Sequence, residues 1–214
     1  DFTSYVNELF CQKENEREFS RIYSSITDLK DPYEDVVRNN KKLIIQEDMA
    51  SDVHNLALLL KKISSRDRHG SDITLNALRR ALTEVLATFP VYRTYISNVV
   101  VSDNDRNYIL DAVDRARANF PALLHGFTFV RRFLLLDFPD YVSEEEKRDW
   151  LHFAMRFQQL TGPVMAKGVE DTTLYAYNRL VSLNEVGGRP DHFGCSLEEF
   201  HNFNTKKGDL WPDS

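Results

Sequence analysis

Apolar residues recur at helical intervals along most of the chain, separated by short polar turns. Val6, Leu9 and Phe10 form one face, and Phe19, Ile22, Tyr23 and Ile26 a second, predicting two short helices with the charged run Lys13 to Glu18 as a solvated turn and helix start. Asp31-Pro32 opens the longest element, with proline at the first helical position and aspartate as its cap. Val36, Val37, Leu43, Ile44, Val53, Leu56, Ala57, Leu60 and Ile63 then recur without glycine or proline until Gly70. That spacing fits one helix of roughly 35 residues or two with a bend near Asp48–Asp52. Ser71-Asp72 and Thr74 cap a helix with the stripe Leu75, Leu78, Leu82, Val85 and Leu86, and Phe89-Pro90 stops it. Ser102 caps another from about Asp103 to Asn119. A run from Pro121 to about Asp137 is apolar nearly all round and is expected to be central. Ser143 with Glu146 is a capping box, opening a helix through Trp150, Phe153, Ala154 and Phe157 that ends at Thr161-Gly162. Ser196 with Glu199 is a second, for a last helix near Leu197 to Thr205.

Two stretches depart from this pattern. Val91 to Ile96 is β-branched and aromatic with rough alternation and reads as a strand; Val164 to Lys167 is a short apolar run ending on Gly168 and reads as another. The helices between them would serve as a crossover for parallel pairing. The fold class is therefore mainly α, a helical bundle with one or two strands. Its order is helices over 1–88, a strand region over 89–101, helices over 102–161, and a motif region with the last helix over 162–214. Strand edges left exposed would invite a partner, including a homodimer.

Length and charge narrow the function. A chain of 214 residues can bury a substantial core. A net charge of -6, with basic residues only in pairs such as Lys41-Lys42 and Arg131-Arg132, argues against nucleic acid as a partner. No apolar run approaches the roughly 20 residues that span a bilayer, and the N-terminus does not read as a signal peptide, so no membrane partner is expected. Cys11 and Cys195 lack metal or redox spacing and read as free thiols in a reducing cytoplasm. His54 has no second ligand at i±4 and reads as a packed or surface histidine. Neither metal nor cofactor is expected.

The chemistry concentrates between Gly162 and Gly188. Lys167 arrives on Gly168, Glu170 and Asp171 follow, then Tyr175 and Tyr177, and Asn184-Glu185 precedes a double glycine. A lysine, acids, an amide and aromatic faces at a backbone bend can grip a polyhydroxylated ligand. The competing reading is that Gly168 ends a strand while Glu170 and Asp171 favour a helix start through its dipole. The residues alone leave both open.

The same stretch resembles a known family. Gln158-Gln159-Leu160-Thr161-Gly162-Pro163-Val164-Met165-Ala166-Lys167-Gly168-Val169-Glu170-Asp171-Thr172, followed by Tyr177-Asn178-Arg179-Leu180-Val181-Ser182-Leu183-Asn184-Glu185-Val186-Gly187-Gly188, is similar to the maltooligosyltrehalose synthases of the α-amylase superfamily. Phe89-Pro90-Val91-Tyr92-Arg93-Thr94-Tyr95 is a second match in the right order, and Asp1-Phe2 resembles the end of an upstream segment of the family. Ala176 stands where the family's pattern has arginine, and Arg189 where it has aspartate.

The resemblance implies an enzyme that turns the reducing-end α-1,4 link of a maltooligosaccharide into an α,α-1,1 link by intramolecular transglycosylation, (1→4)-α-D-glucan 1-α-D-glucosylmutase. It implies that the two strands belong to an incomplete (β/α) barrel into which residues 1–88 are a helical insertion, with Arg93 and Tyr95 at the strand end that faces substrate. It also implies that the nucleophile and acid lie upstream of Asp1 and the third carboxylate beyond a segment like Leu210-Trp211-Pro212. The chain then reads as a fragment with no catalytic residue of its own, inactive alone. Lys167, Glu170, Asp171, Arg93, Tyr95, Asn184 and Glu185 would contact the maltooligosaccharide. The reading of another class is a non-catalytic helical carbohydrate-binding or interaction module.

Overall fold

The structure is a computed structural model and describes residues 2–28, 31–66 and 72–210. Asp1, Gly70, Ser71 and the Trp211-Pro212 pair lie outside the described residues. The chain divides into two units, one of Val37–Val169 and one of the residues before and after it.

The Val37–Val169 unit is a helical bundle. Helix α3 (Tyr33–Glu47) leads into it and α4 (Ala50–Ser64) follows after a break at Asp48-Met49, so the long stripe is two helices. Met49 is buried at that bend, and Ile45 rather than Leu43 carries the α3 face into the core. Helix α5 (Leu75–Thr88) packs against α4, α6 (Asp103–Asn119), α7 (Leu124–Leu134) and α8 (Glu144–Met165). It buries Leu78, Ala81, Leu82, Val85 and Leu86 completely. The predicted central run is α7, preceded by a 3-10 turn at Pro121–Leu123; it packs on α5, α6 and α8. Phe133 lies tilted against Trp150 at 3.9 Å between centroids and meets Phe153 edge-on at 6.2 Å. Each such buried ring contributes on the order of 2–3 kcal/mol by removing apolar surface from water.

Local signals set the helix starts. Thr74 and Ser102 accept from Ala77 N and Asp105 N, and Ser143 with Glu146 forms the reciprocal capping box.

Neither predicted strand pairs into a sheet. Val164 and Met165 are the end of α8, and Ala166–Thr173 continues as a π-helix. The stripe Phe153, Phe157, Thr161, Val164, Gly168 is buried and keeps helical spacing straight through the apolar run. Residues 91–96 form no ladder among the described residues. The strand-like alternation is nevertheless kept, with Arg93 and Tyr95 exposed and Thr94 and Ile96 buried. Side chains of α8 take the place of a neighbouring strand. Gln158 Oε1 accepts from Thr94 Oγ1 (3.1 Å) and Ile96 N (3.0 Å), Gln158 Nε2 donates to Ile96 O (3.0 Å), and Thr161 Oγ1 donates to Tyr92 O (2.7 Å). The strand edges that suggested dimerisation are therefore not present among the described residues.

In the second unit, α1 (Phe2–Leu9) packs on α10 (Leu197–Leu210), with Tyr5 stacked on Phe203 at 4.4 Å. Helix α2 (Glu16–Ile26) buries no residue fully, and Phe10 and Ile26 of the predicted faces stand open to solvent. Helix α9 is the single turn Leu174–Ala176. Arg179 is the hub of the loops: its guanidinium reaches Glu16 (3.2 Å), Ser20 (2.9 Å) and the carbonyls of Pro190 and Asp191 (both 3.1 Å). It also lies 5.1 Å from the centre of the Phe193 ring. No helix among the described residues is long and apolar enough to cross a membrane.

Candidate functional site

The motif around Lys167 is built from a change of helical register. Pro163 lies inside α8 and has no N–H to give to the preceding turn. Ala166 N then shares its bond between Gly162 O and Pro163 O, and the wider π-turn runs from Ala166 to Thr173. π-turns within α-helices mark functional sites more often than chance allows. The turn also has a packing cause. A Cβ at Gly168 would lie 2.7 Å from Lys41 Cγ and 2.9 Å from Lys41 Cα, so only glycine lets the turn lie this close to α3. The glycine of the motif serves a close approach between helices rather than the end of a strand.

Lys41 is itself buried, at 3 % exposure, and its Nζ donates to Phe89 O at 2.9 Å. Burial first, and the Arg115 charge second, push its ammonium down to about 8. The sequence shows Lys41 only as half of a basic pair, with no signal that one of the two faces inward.

The predicted contact residues divide by placement. Lys167 is half exposed and lies 3.7 Å from Asp48 Oδ2, a solvated pair worth little in stability. Glu170 and Asp171 occupy the second half of the π-turn, Asp171 exposed and Glu170 partly so. Arg93 and Tyr95 are both exposed, and the guanidinium stands 5.6 Å from the centre of the tyrosine ring. This cation–π contact presents a cation and an aromatic face side by side to solvent. Glu185 is exposed.

Asn184 is placed differently. Its Nδ2 donates to Leu174 O and Tyr177 O, both at 2.6 Å, and its Oδ1 is enclosed. Of the two tyrosines read as stacking faces, Tyr175 is 80 % exposed. Tyr177 is buried edge-on to Tyr23 (5.5 Å) and Tyr33 (5.0 Å), and its ring is occupied by the protein. Burial raises both Tyr33 and Tyr177 above the ordinary phenol value. Cys11 and Cys195 are free thiols, and burial raises both. His54 is at the surface.

The chain is thus a mainly helical protein whose motif is carried on a π-turn at the end of a long helix. In sequence it is 54% identical over 61 residues to a putative maltooligosyl trehalose synthase of Mycobacterium tuberculosis (strain CDC 1551 / Oshkosh), a stretch covering 28% of this chain and 8% of that protein. In fold it matches a point mutant of the maltooligosyltrehalose synthase from Arthrobacter ramosus with a TM-score of 0.80 at 26% identity, over 100% of this chain and 24% of that one. DSM5389 glycosyltrehalose synthase matches with a TM-score of 0.62 at 28% identity, over 96% of this chain and 22% of that one. No protein-family model matches. The resemblance first visible in the motif therefore extends to the fold of the whole chain, and the chain is similar to maltooligosyltrehalose synthases in both sequence and structure. It spans about a quarter of the length of those solved enzymes.

Proposed function

We propose that this chain is part of an enzyme that converts the reducing-end α-1,4 link of a maltooligosaccharide into an α,α-1,1 link, and that it supplies substrate contacts rather than the catalytic carboxylates. The observation that carries this is the match to a maltooligosyltrehalose synthase over the full length of the chain, at 26% identity. Glycoside cleavage needs two carboxyl groups about 5 Å or more apart, flanking one bond. Glu170 and Asp171 are neighbours on one π-turn, and adjacent residues project from it in different directions, which does not suit two groups flanking one bond. They fit a different task. A freed glucose unit must turn before it attacks again, and groups holding it must exclude water, or hydrolysis competes. Within the Val37–Val169 unit, Lys167 donates to sugar hydroxyls and the Arg93–Tyr95 pair offers an aromatic face beside a cation; within the other unit, Glu170, Asp171 and Glu185 are the groups that accept from them.

Maltopentaose incubated with the complete enzyme carrying this chain should lose its reducing power with little glucose released. Lys167→Ala should lower kcat/KM about ten- to hundredfold, the cost of one charged hydrogen bond. Glucose release as the main reaction, or an unchanged reducing end, would contradict the reading.

The module reading is favoured by one observation: residues 91–96 and 164–167 form no barrel face among the described residues. It predicts maltopentaose binding with no change in reducing power.

A further inference from the structure

The end of the helix that carries the motif keeps one closing bond of its own backbone, and the other groups that close it come from elsewhere in the chain. In a continuing α-helix, Asn178 N would bond Leu174 O. Here Asn178 N bonds Tyr23 Oη at 3.3 Å, and the Tyr23 hydroxyl donates to Ala176 O at 3.4 Å. Leu174 O, left without its helical donor, accepts from Asn184 Nδ2 at 2.6 Å, and the same amide nitrogen donates to Tyr177 O at 2.6 Å. One backbone bond, Tyr177 N to Thr173 O at 2.8 Å, completes the closure. Helix ends leave carbonyls that need donors, and an enclosed carbonyl without one is costly. Asn184 meets this need twice. Two carbonyls at 2.6 Å also fix which way the amide points, because an oxygen in that position would face both of them. The amide nitrogen is thus committed to two carbonyls inside the chain, while Oδ1 is enclosed without a donor.

We propose that Asn184 is a positioning residue: it caps the Leu174–Ala176 turn and so fixes where the exposed Tyr175 ring and the Glu170–Asp171 pair stand. Only the purpose of that placement rests on the sugar-contact reading above; the capping role does not. A sugar contact through the carbonyl oxygen would be kept by aspartate. A cap made by the NH₂ group would be reversed by it, since a carboxylate would face two carbonyl oxygens. Asn184→Asp should therefore be at least as damaging as Asn184→Ala.

The test is amide hydrogen exchange of the chain without sugar, read at Tyr177 and Asn178, together with kinetics of the complete enzyme on maltopentaose. Exchange at both amides should rise about tenfold or more in Asn184→Asp and in Asn184→Ala. In the enzyme, kcat should fall in both variants, with a smaller change in KM. Where Asn184→Asp does not fold, Asn184→Ala decides by the same exchange readout. Exchange as in the wild type, or activity kept by aspartate and lost in alanine, would overturn the proposal. Faster exchange in an enzyme that does not act on maltopentaose would leave the cap standing and remove the sugar reading instead.

Discussion

Replacing Gln158 by leucine will lower the unfolding free energy by about 3–5 kcal/mol. The side chain is 2 % exposed and sits where a neighbouring strand would be, with its amide bonded to both the N–H and the carbonyl of Ile96 and to the hydroxyl of Thr94. Leucine fills similar space but leaves those three groups enclosed without partners, at about 1–3 kcal/mol each before relaxation. The urea midpoint should fall at constant slope. Gln158→Glu is the informative control: it keeps an acceptor for Ile96 N and Thr94 but sets an enclosed carboxylate oxygen against Ile96 O, and at neutral pH should lose at least as much as leucine. On the proposed sugar-contact reading activity should fall as well, since Arg93 and Tyr95 face solvent while Thr94 and Ile96 are held inward. A loss below about 1 kcal/mol for leucine would show that the segment is held by something other than this amide.

The second large effect is in pH. Lys41 has a folded value of about 8 against 10.5 for a free lysine, with burial the larger cause and Arg115 the smaller. The unfolded chain therefore binds the proton more tightly than the folded one. Below pH 8 both states carry the charge, and the folded state bears the full cost of burying it, about 3 kcal/mol. As pH rises from 8 towards 10.5 the folded lysine is already neutral while the unfolded one is not, and that cost is progressively relieved. Stability should rise over this window, measured as wild type minus Lys41→Met so that other titrating groups cancel. Methionine gives up the bond to Phe89 O but removes the buried charge, and near pH 7 the variant should be about as stable as the wild type or more so. A flat difference between pH 8 and 10.5 would show that Lys41 keeps its charge solvated.

Features legible in the sequence were those set by neighbours along the chain. Thr74, Ser102 and the Ser143–Glu146 and Ser196–Glu199 pairs mark helix starts because a cap needs only the residue and the turn that follows. The misread elements depended on distant groups. Val91–Ile96 has the alternation of a strand and keeps its faces, but whether it pairs depends on what lies beside it, and here that is a glutamine side chain. Val164–Lys167 looked like a strand because Pro163 and Gly168 bracket it. Phe153, Phe157 and Thr161 already set the helical period through it, and Gly168 is small because Lys41 lies against it. The site divides in the same way. The exposure of Lys167, Asp171 and Glu185 agrees with their polarity, whereas the inward turn of Asn184, the enclosure of Tyr177 and the burial of Lys41 follow from contacts more distant in sequence.

The most direct measurement is calorimetric titration of maltopentaose into this chain and into its Lys167→Ala variant. Binding with a dissociation constant on the order of 1 mM or tighter, weakened at least tenfold in the variant, is the predicted result. Absence of binding up to about 10 mM, or equal affinity in both proteins, would contradict the assignment of a sugar contact to the π-turn.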